Sequence, residues 1–122
     1  MFDQFKAIGA IASLMKEKDR LGATVARVRT RLDGLEAVGE AGGGAVRAIV
    51  NGSGRVLSIE IEAALGAGFG HAESHALAET LIVEAVNAAL KRAQDEARTI
   101  IEGEARELGL DELLPGLEGL IR

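Results

Sequence analysis

The residues of this chain best suited to chemistry are cations at helical spacing. Lys16, Arg20, Arg27 and Arg31 follow one another at intervals of 4, 7 and 4. At ~100° per residue they fall within a stripe about 60° wide. Side chains in such a row displace condensed counterions from a nucleic-acid backbone, which makes the stripe a candidate phosphate rail. Glu17, Asp19 and Asp33 lie among them, and the same pattern also describes a solvated charged face. Lys91, Arg92 and Arg98 form a second basic group further along the chain.

Other constellations carry less. His71 and His75 are four apart, with Glu73 and Glu79 nearby, but no third convincing ligand accompanies them, and no metal is expected. Asp95, Glu96, Glu102, Glu104 and Glu107 alternate with Lys91, Arg92, Arg98 and Arg106. That interleaving fits a salt-bridged solvent face better than an acid–base pair. The glycines of Gly39 to Gly44 are not followed by Gly-Lys-Ser/Thr, so they read as a turn rather than a phosphate cradle. There is no nucleophile elbow, zinc signature or plausible triad, which points away from an enzyme and from any cofactor or small-molecule substrate. The chain has no tryptophan or tyrosine and therefore no aromatic platform of the usual kind for stacking single-stranded bases.

Length and charge bound the rest. At 122 residues the chain is one domain at most. Its net charge of −5 is unevenly placed: residues 1–36 hold seven basic and five acidic side chains, and residues 62–122 hold five basic and twelve acidic. An anionic partner is therefore to be sought at the amino-terminal third. The absence of cysteine fits a reducing cytoplasm. Asp3 stands where a secretory leader would be basic, and no run reaches the ~18 apolar residues of a membrane span, so neither export nor a membrane partner is expected.

Residues 1–36 read as a helix, 37–62 as a three-stranded sheet, 63–73 as a loop, 74–108 as a second helix and 109–122 as a leucine-rich tail that docks or frays. In the first helix Ile11, Leu14, Lys18, Leu21, Val25, Val28, Leu32 and Leu35 repeat at alternating intervals of 3 and 4, the seam of a coiled coil. Gly42-Gly43-Gly44 and Asn51-Gly52-Ser53-Gly54 separate strands near Val38 to Ala41, Val46 to Val50 and Val56 to Ile61, because glycine and asparagine tolerate the positive φ of tight turns. Phe69 reads as an anchor into an apolar surface, and Ser74 as an N-cap. The second helix presents Ile82, Val86, Ala89, Ala93, Ala97 and Ile100 on one face, with Asn87 beside it. So small a sheet must be covered by helices, and its modest aliphatic core favours burial at a subunit interface.

Leu14-Met15-Lys16, Gly39-Glu40-x-Gly42-x-Gly44, Val46, Val50-Asn51-Gly52, Ile59-Glu60-Ile61, Val86-Asn87-Ala88-Ala89 and Lys91-Arg92-Ala93 together resemble the YbaB/EbfC family of bacterial nucleoid-associated proteins. The resemblance implies an α+β fold with a three-stranded antiparallel sheet between a long N-terminal and a long C-terminal helix. It also implies a homodimer with projecting, tweezer-like helices. The implied activity is binding of double-stranded DNA in the nucleoid with low sequence demand, and the implied role of Gly39, Gly42, Gly44, Asn51 and Gly52 is to shape turns. On that reading the phosphate-contacting residues are Lys16, Arg20, Arg27 and Arg31, helped by Lys91 and Arg92. The first helix is rich in alanine and arginine where relatives commonly carry glutamine and methionine, and the tail carries Asp111, Glu112 and Glu118. The alternative is a protein-interaction scaffold that uses the heptad seam and the alanine face, with little or no DNA binding.

Overall fold

Two glycine-bearing turns bend the middle of the chain into a meander. In the computed structural model, which describes residues 2–109 (and, ahead of Lys18, the side chains of Ala12, Met15 and Lys16 alone), helix α1 spans Phe2–Gly34. Strands β1 (Glu36–Ala41), β2 (Val46–Asn51) and β3 (Val56–Ile61) follow, then a short helix α2 (Ala63–Ala67) and helix α3 (Ala72–Glu107). The sheet is antiparallel in the order β1-β2-β3. Gly39 pairs with Ala48 and Ala48 with Ile59, and a register shift interrupts β2–β3 between Ile49 and Val50. The fold is thus α+β, as the sequence implied. The leucine-rich tail lies outside the described residues.

The core is a helix laid on a sheet. Val46, Ala48 and Val50 alternate onto one face of β2, as expected for a half-buried strand, and all three are fully buried. Ala37 and Ala41 of β1 join them, with Leu81, Ala85, Ala89 and Ala93 of α3 opposite. Burial of each valine stabilises the fold by about 2 kcal/mol. Alanines at the contact let the helix come close. The buried face of α3 is centred on Ala78, Leu81 and Ala85 as well as Ala89, Ala93 and Ala97, whereas Ile82, Val86 and Ile100 are only half-buried. The expected face is therefore rotated toward the smaller residues.

Gly39 is not a turn residue. It sits inside β1 facing α3, where a Cβ would lie 2.3 Å from both the Ala85 carbonyl oxygen and the Ala89 nitrogen. It permits a very close approach of helix to sheet. The Asn-Gly turn also works differently from the expectation of positive φ at both residues. Among the described residues no non-glycine has positive φ, and in this turn only Gly54 does, at 84°. Asn51 instead closes the turn with its side chain: Oδ1 accepts the Ser53 and Arg55 N–H groups at 3.1 and 2.9 Å, the usual work of asparagine in turns.

That turn is also the seat of α1. The Gly52 N–H donates to the Leu32 carbonyl at 2.8 Å, and the Ser53 hydroxyl donates to Asp33. A Cβ on Gly52 would stand 2.7 Å from the Leu32 oxygen. The meander thereby satisfies a carbonyl group left open at a helix C-terminus. Further on, the stretch read as a loop contains α2, and α3 begins at Ala72 with His71 as its N-cap and no side-chain capping bond. Ser74 is therefore a helical residue. Phe69 is 40% exposed and meets His75 edge to face at 6.1 Å, so it is not a buried anchor.

Candidate nucleic-acid interface

The basic stripe divides in two. Lys16 and Arg20 lie on α1 ahead of Thr24, the first buried side chain among the described residues of that helix, and both are exposed. Arg27 and Arg31 lie where α1 meets α3, and both turn to Glu104. Arg27 Nε donates to Glu104 Oε1 at 3.4 Å and Nη2 to Oε2 at 2.6 Å, a bidentate pairing of planar fork and carboxylate. Arg31 Nη1 adds a third donor to Oε1 at 3.5 Å. The Glu104 side chain is 10% exposed, while each arginine side chain is 54% exposed. The hydrogen bond from Arg27 holds the Glu104 carboxyl below its usual range, against the opposing effect of burial, and the charge of Arg31 adds to the shift. The Arg27 guanidinium is correspondingly raised, first by its hydrogen bond to Glu104.

The second basic group stands apart from the first. Lys91 approaches Asp95 at 3.9 Å one turn along α3, and Arg92 donates to the Val38 carbonyl at 3.2 Å. Arg92 lines a depression of about 400 Å³ with Val38, Gly39, Glu40, Arg47 and Ala88. Arg47 is itself flanked across the strands by Glu40 at 3.8 Å and Glu60 at 3.7 Å, which offsets its charge. Arg92 and Glu104 are about 18 Å apart along α3 at 1.5 Å per residue, so Lys91 and Arg92 do not extend the stripe. Arg98 is half-buried, with its Nε shielded and unpartnered among the described atoms. Asn87 is exposed. His75 Nδ1 contacts Glu79 at 3.2 Å.

Two features escape sequence reasoning: Glu104 as a partner of the stripe, and β3 as an open surface. Periodicity groups Glu104 with the solvated carboxylates of α3, because it reports neighbours on one helix, and the arginines that Glu104 binds lie on another. In β3, Val56, Leu57 and Ile59 are 42%, 46% and 40% exposed. Ile59 and Ile61 pair with Ala48 and Val46, so they lie on the helix side of the sheet, yet α3 packs across β1 and β2. On α1, Leu21 and Val25 of the heptad seam are 45% and 48% exposed, whereas Val28, Leu32 and Leu35 are half-buried.

Fold and surface together define a small two-layer α+β protein that presents a long basic helix from the end of its sheet. Residues 8–108 match the model of the YbaB/EbfC DNA-binding family. The chain is 40% identical over 85 residues to a nucleoid-associated protein of Chlorobium phaeobacteroides, covering 70% of this chain and 71% of that one. It is 33% identical over 110 residues to a nucleoid-associated protein of Pelotomaculum thermopropionicum, covering 89% and 96%. The crystal structure of an uncharacterized Helicobacter pylori protein, HP0035, superposes with a TM-score of 0.64 at 16% identity over 75% of this chain and 92% of that one, a likeness of fold. The chain belongs to the YbaB/EbfC DNA-binding family.

Proposed function

We propose that this chain is a nucleoid-associated protein of the bacterial cytoplasm that binds double-stranded DNA as a homodimer, through phosphate contacts of low sequence specificity and without catalysis. Residues 1–122 act as one unit in this reading, with α1 as the contacting arm. The observation that carries it is the exposed pair Lys16 and Arg20 on the long helix α1, in a chain of a DNA-binding family. Arg27 and Arg31 continue the contact with the donors that Glu104 does not use. Lys91 and Arg92 serve as auxiliary contacts from the middle of α3.

Dimerisation rests on β3. Its outer edge has no neighbouring strand among the described residues, and its apolar side chains lie open beside α3. An unpaired apolar edge of this kind invites another strand, and a second copy adding β3 to β3 would cover both edges at once.

The test is Lys16→Glu with Arg20→Glu, two positions clear of the Glu104 pairing. Binding to unrelated duplexes is expected to weaken alike. The dependence of log K on log salt should fall by about 3 to 4, since a dimer would neutralise four fewer phosphates. Unchanged affinity would remove α1 from the interface. The exposure of Leu21 and Val25 favours a second reading, a scaffold that holds a partner helix along the seam. Its other proposed surface, the alanine face, is occupied by the sheet. Capture of one stoichiometric protein partner, with no duplex shift at low salt, would favour the scaffold.

A further inference from the structure

Resting on the DNA-binding reading, we propose that Glu104 is a positioning residue for the DNA-contacting helix, fastening α1 at the angle at which its cations meet phosphates. Among the described residues, hydrogen bonds hold α1 at two places. One is its C-terminal end, where Gly52 and Ser53 bind Leu32 and Asp33. The other is the Glu104 clasp on Arg27 and Arg31. The buried residues that flank the clasp are small, Thr24 on α1 and Ala97 and Ala105 on α3, while the larger Val28, Ile100, Ile101 and Leu108 nearby are only half-buried. Small residues let two helices approach but contribute few interlocking contacts that fix a crossing angle. A carboxylate gripping a planar fork does fix one, because both hydrogen bonds must stay aligned.

The lever is long. Lys16 lies about 24 Å from Leu32 along α1 at 1.5 Å per residue. A tilt of ~10° at the seat moves Lys16 by about 4 Å, beyond hydrogen-bond reach of the same phosphate. The clasp also orients the arginines themselves. Glu104 takes Nε and Nη2 of Arg27 and Nη1 of Arg31, which leaves Arg27 Nη1 and Arg31 Nη2 for an outside anion. Glu104 therefore costs the stripe one unit of charge and supplies it with direction.

Those two effects have opposite signs, and Glu104→Gln separates them. Removing a negative charge beside the stripe tightens DNA binding if charge alone matters. Loss of positioning weakens it, by about 30-fold near physiological salt if each protomer reaches one phosphate fewer, with a shallower salt slope. Glu107→Gln makes the same charge change on the exposed next turn and is expected to bind as wild type or slightly tighter. Glu104→Asp keeps the charge and shortens the reach, so it decides the matter if the glutamine variant does not fold. Its expected effect is weaker binding with an unchanged circular dichroism spectrum. Wild-type or tighter binding by Glu104→Gln, or wild-type affinity and slope in Glu104→Asp, overturns this assignment while leaving the DNA-binding reading intact. A wild-type protein that leaves the duplex unshifted overturns both.

Discussion

At the scale of single residues, two positions hold more of the molecule than their types suggest. Gly39 is where β1 and α3 nearly touch. Gly39→Ala would drive a Cβ into helix backbone at 2.3 Å, and backbone cannot rotate away as a side chain can. A loss of about 3 kcal/mol is expected in urea unfolding, the upper part of the usual cost of overpacking; a loss under ~0.5 kcal/mol would contradict the close approach. Glu104 is the other. Its folded pKa lies below the ordinary carboxylate value of 4.5, first because Arg27 donates to it, with Arg31 adding to the effect. A depressed carboxylate stabilises the fold fully above its unfolded pKa and loses that contribution as pH falls through the folded value. The melting temperature of the wild type is therefore expected to exceed that of Glu104→Gln at neutral pH, and the two to converge below pH 4.5. A gap undiminished at about pH 3 would mean that the ion pair is not its cause. The cations are legible in the sequence because they repeat along one helix. Their partner is not, because it lies 77 residues from Arg27 and nothing local marks the pairing. Gly39 is hidden for a related reason: a glycine beside a turn and a glycine under a helix look alike until the helix is placed.

At the scale of elements, the meander does two jobs, making the sheet and seating α1. Asn51→Ala removes the acceptor for the Ser53 and Arg55 N–H groups in a residue only 7% exposed. Two hydrogen bonds of ordinary net worth amount to about 2 kcal/mol. Denaturant unfolding should show that loss, and proteolysis at the end of α1 should quicken with it, since the turn holds Leu32. Stability equal to wild type would show that backbone bonds alone keep the turn. The strands are legible from alternation and from glycine clusters, and the two long helices from their uninterrupted apolar periods. The five-residue α2 is not, being shorter than a full apolar repeat. The start of α3 falls ahead of its expected place because a serine suggests a cap that the chain does not use.

At the scale of the whole molecule, the sheet is covered at two strands and open at the third. The resemblance carried by the glycine–strand–Asn-Gly core and the Asn-Ala-Ala segment points to the architecture before any contact is known. It does not reveal that β3 stands exposed on its apolar side, because Ile59-Glu60-Ile61 alternates as any half-buried strand does. The exposure follows from where α3 lies, and that is set by the alanine face and Gly39. Ile59→Lys places a charge on the open face without touching the core, and sedimentation at micromolar concentration is expected to give a monomer for it and the proposed dimer for the wild type. A dimer that persists would move the interface elsewhere, to the exposed Leu21 and Val25 of α1 first.

On the proposed function, a chain of net charge −5 binds duplex DNA because its cations are gathered on one helix. The salt dependence of wild-type binding tests that most directly. With Lys16, Arg20, Arg27 and Arg31 of two protomers at the phosphates, log K should fall linearly with log salt with a slope approaching about −7, and unrelated sequences should give the same line. A slope near zero, or binding to one sequence only, would contradict it.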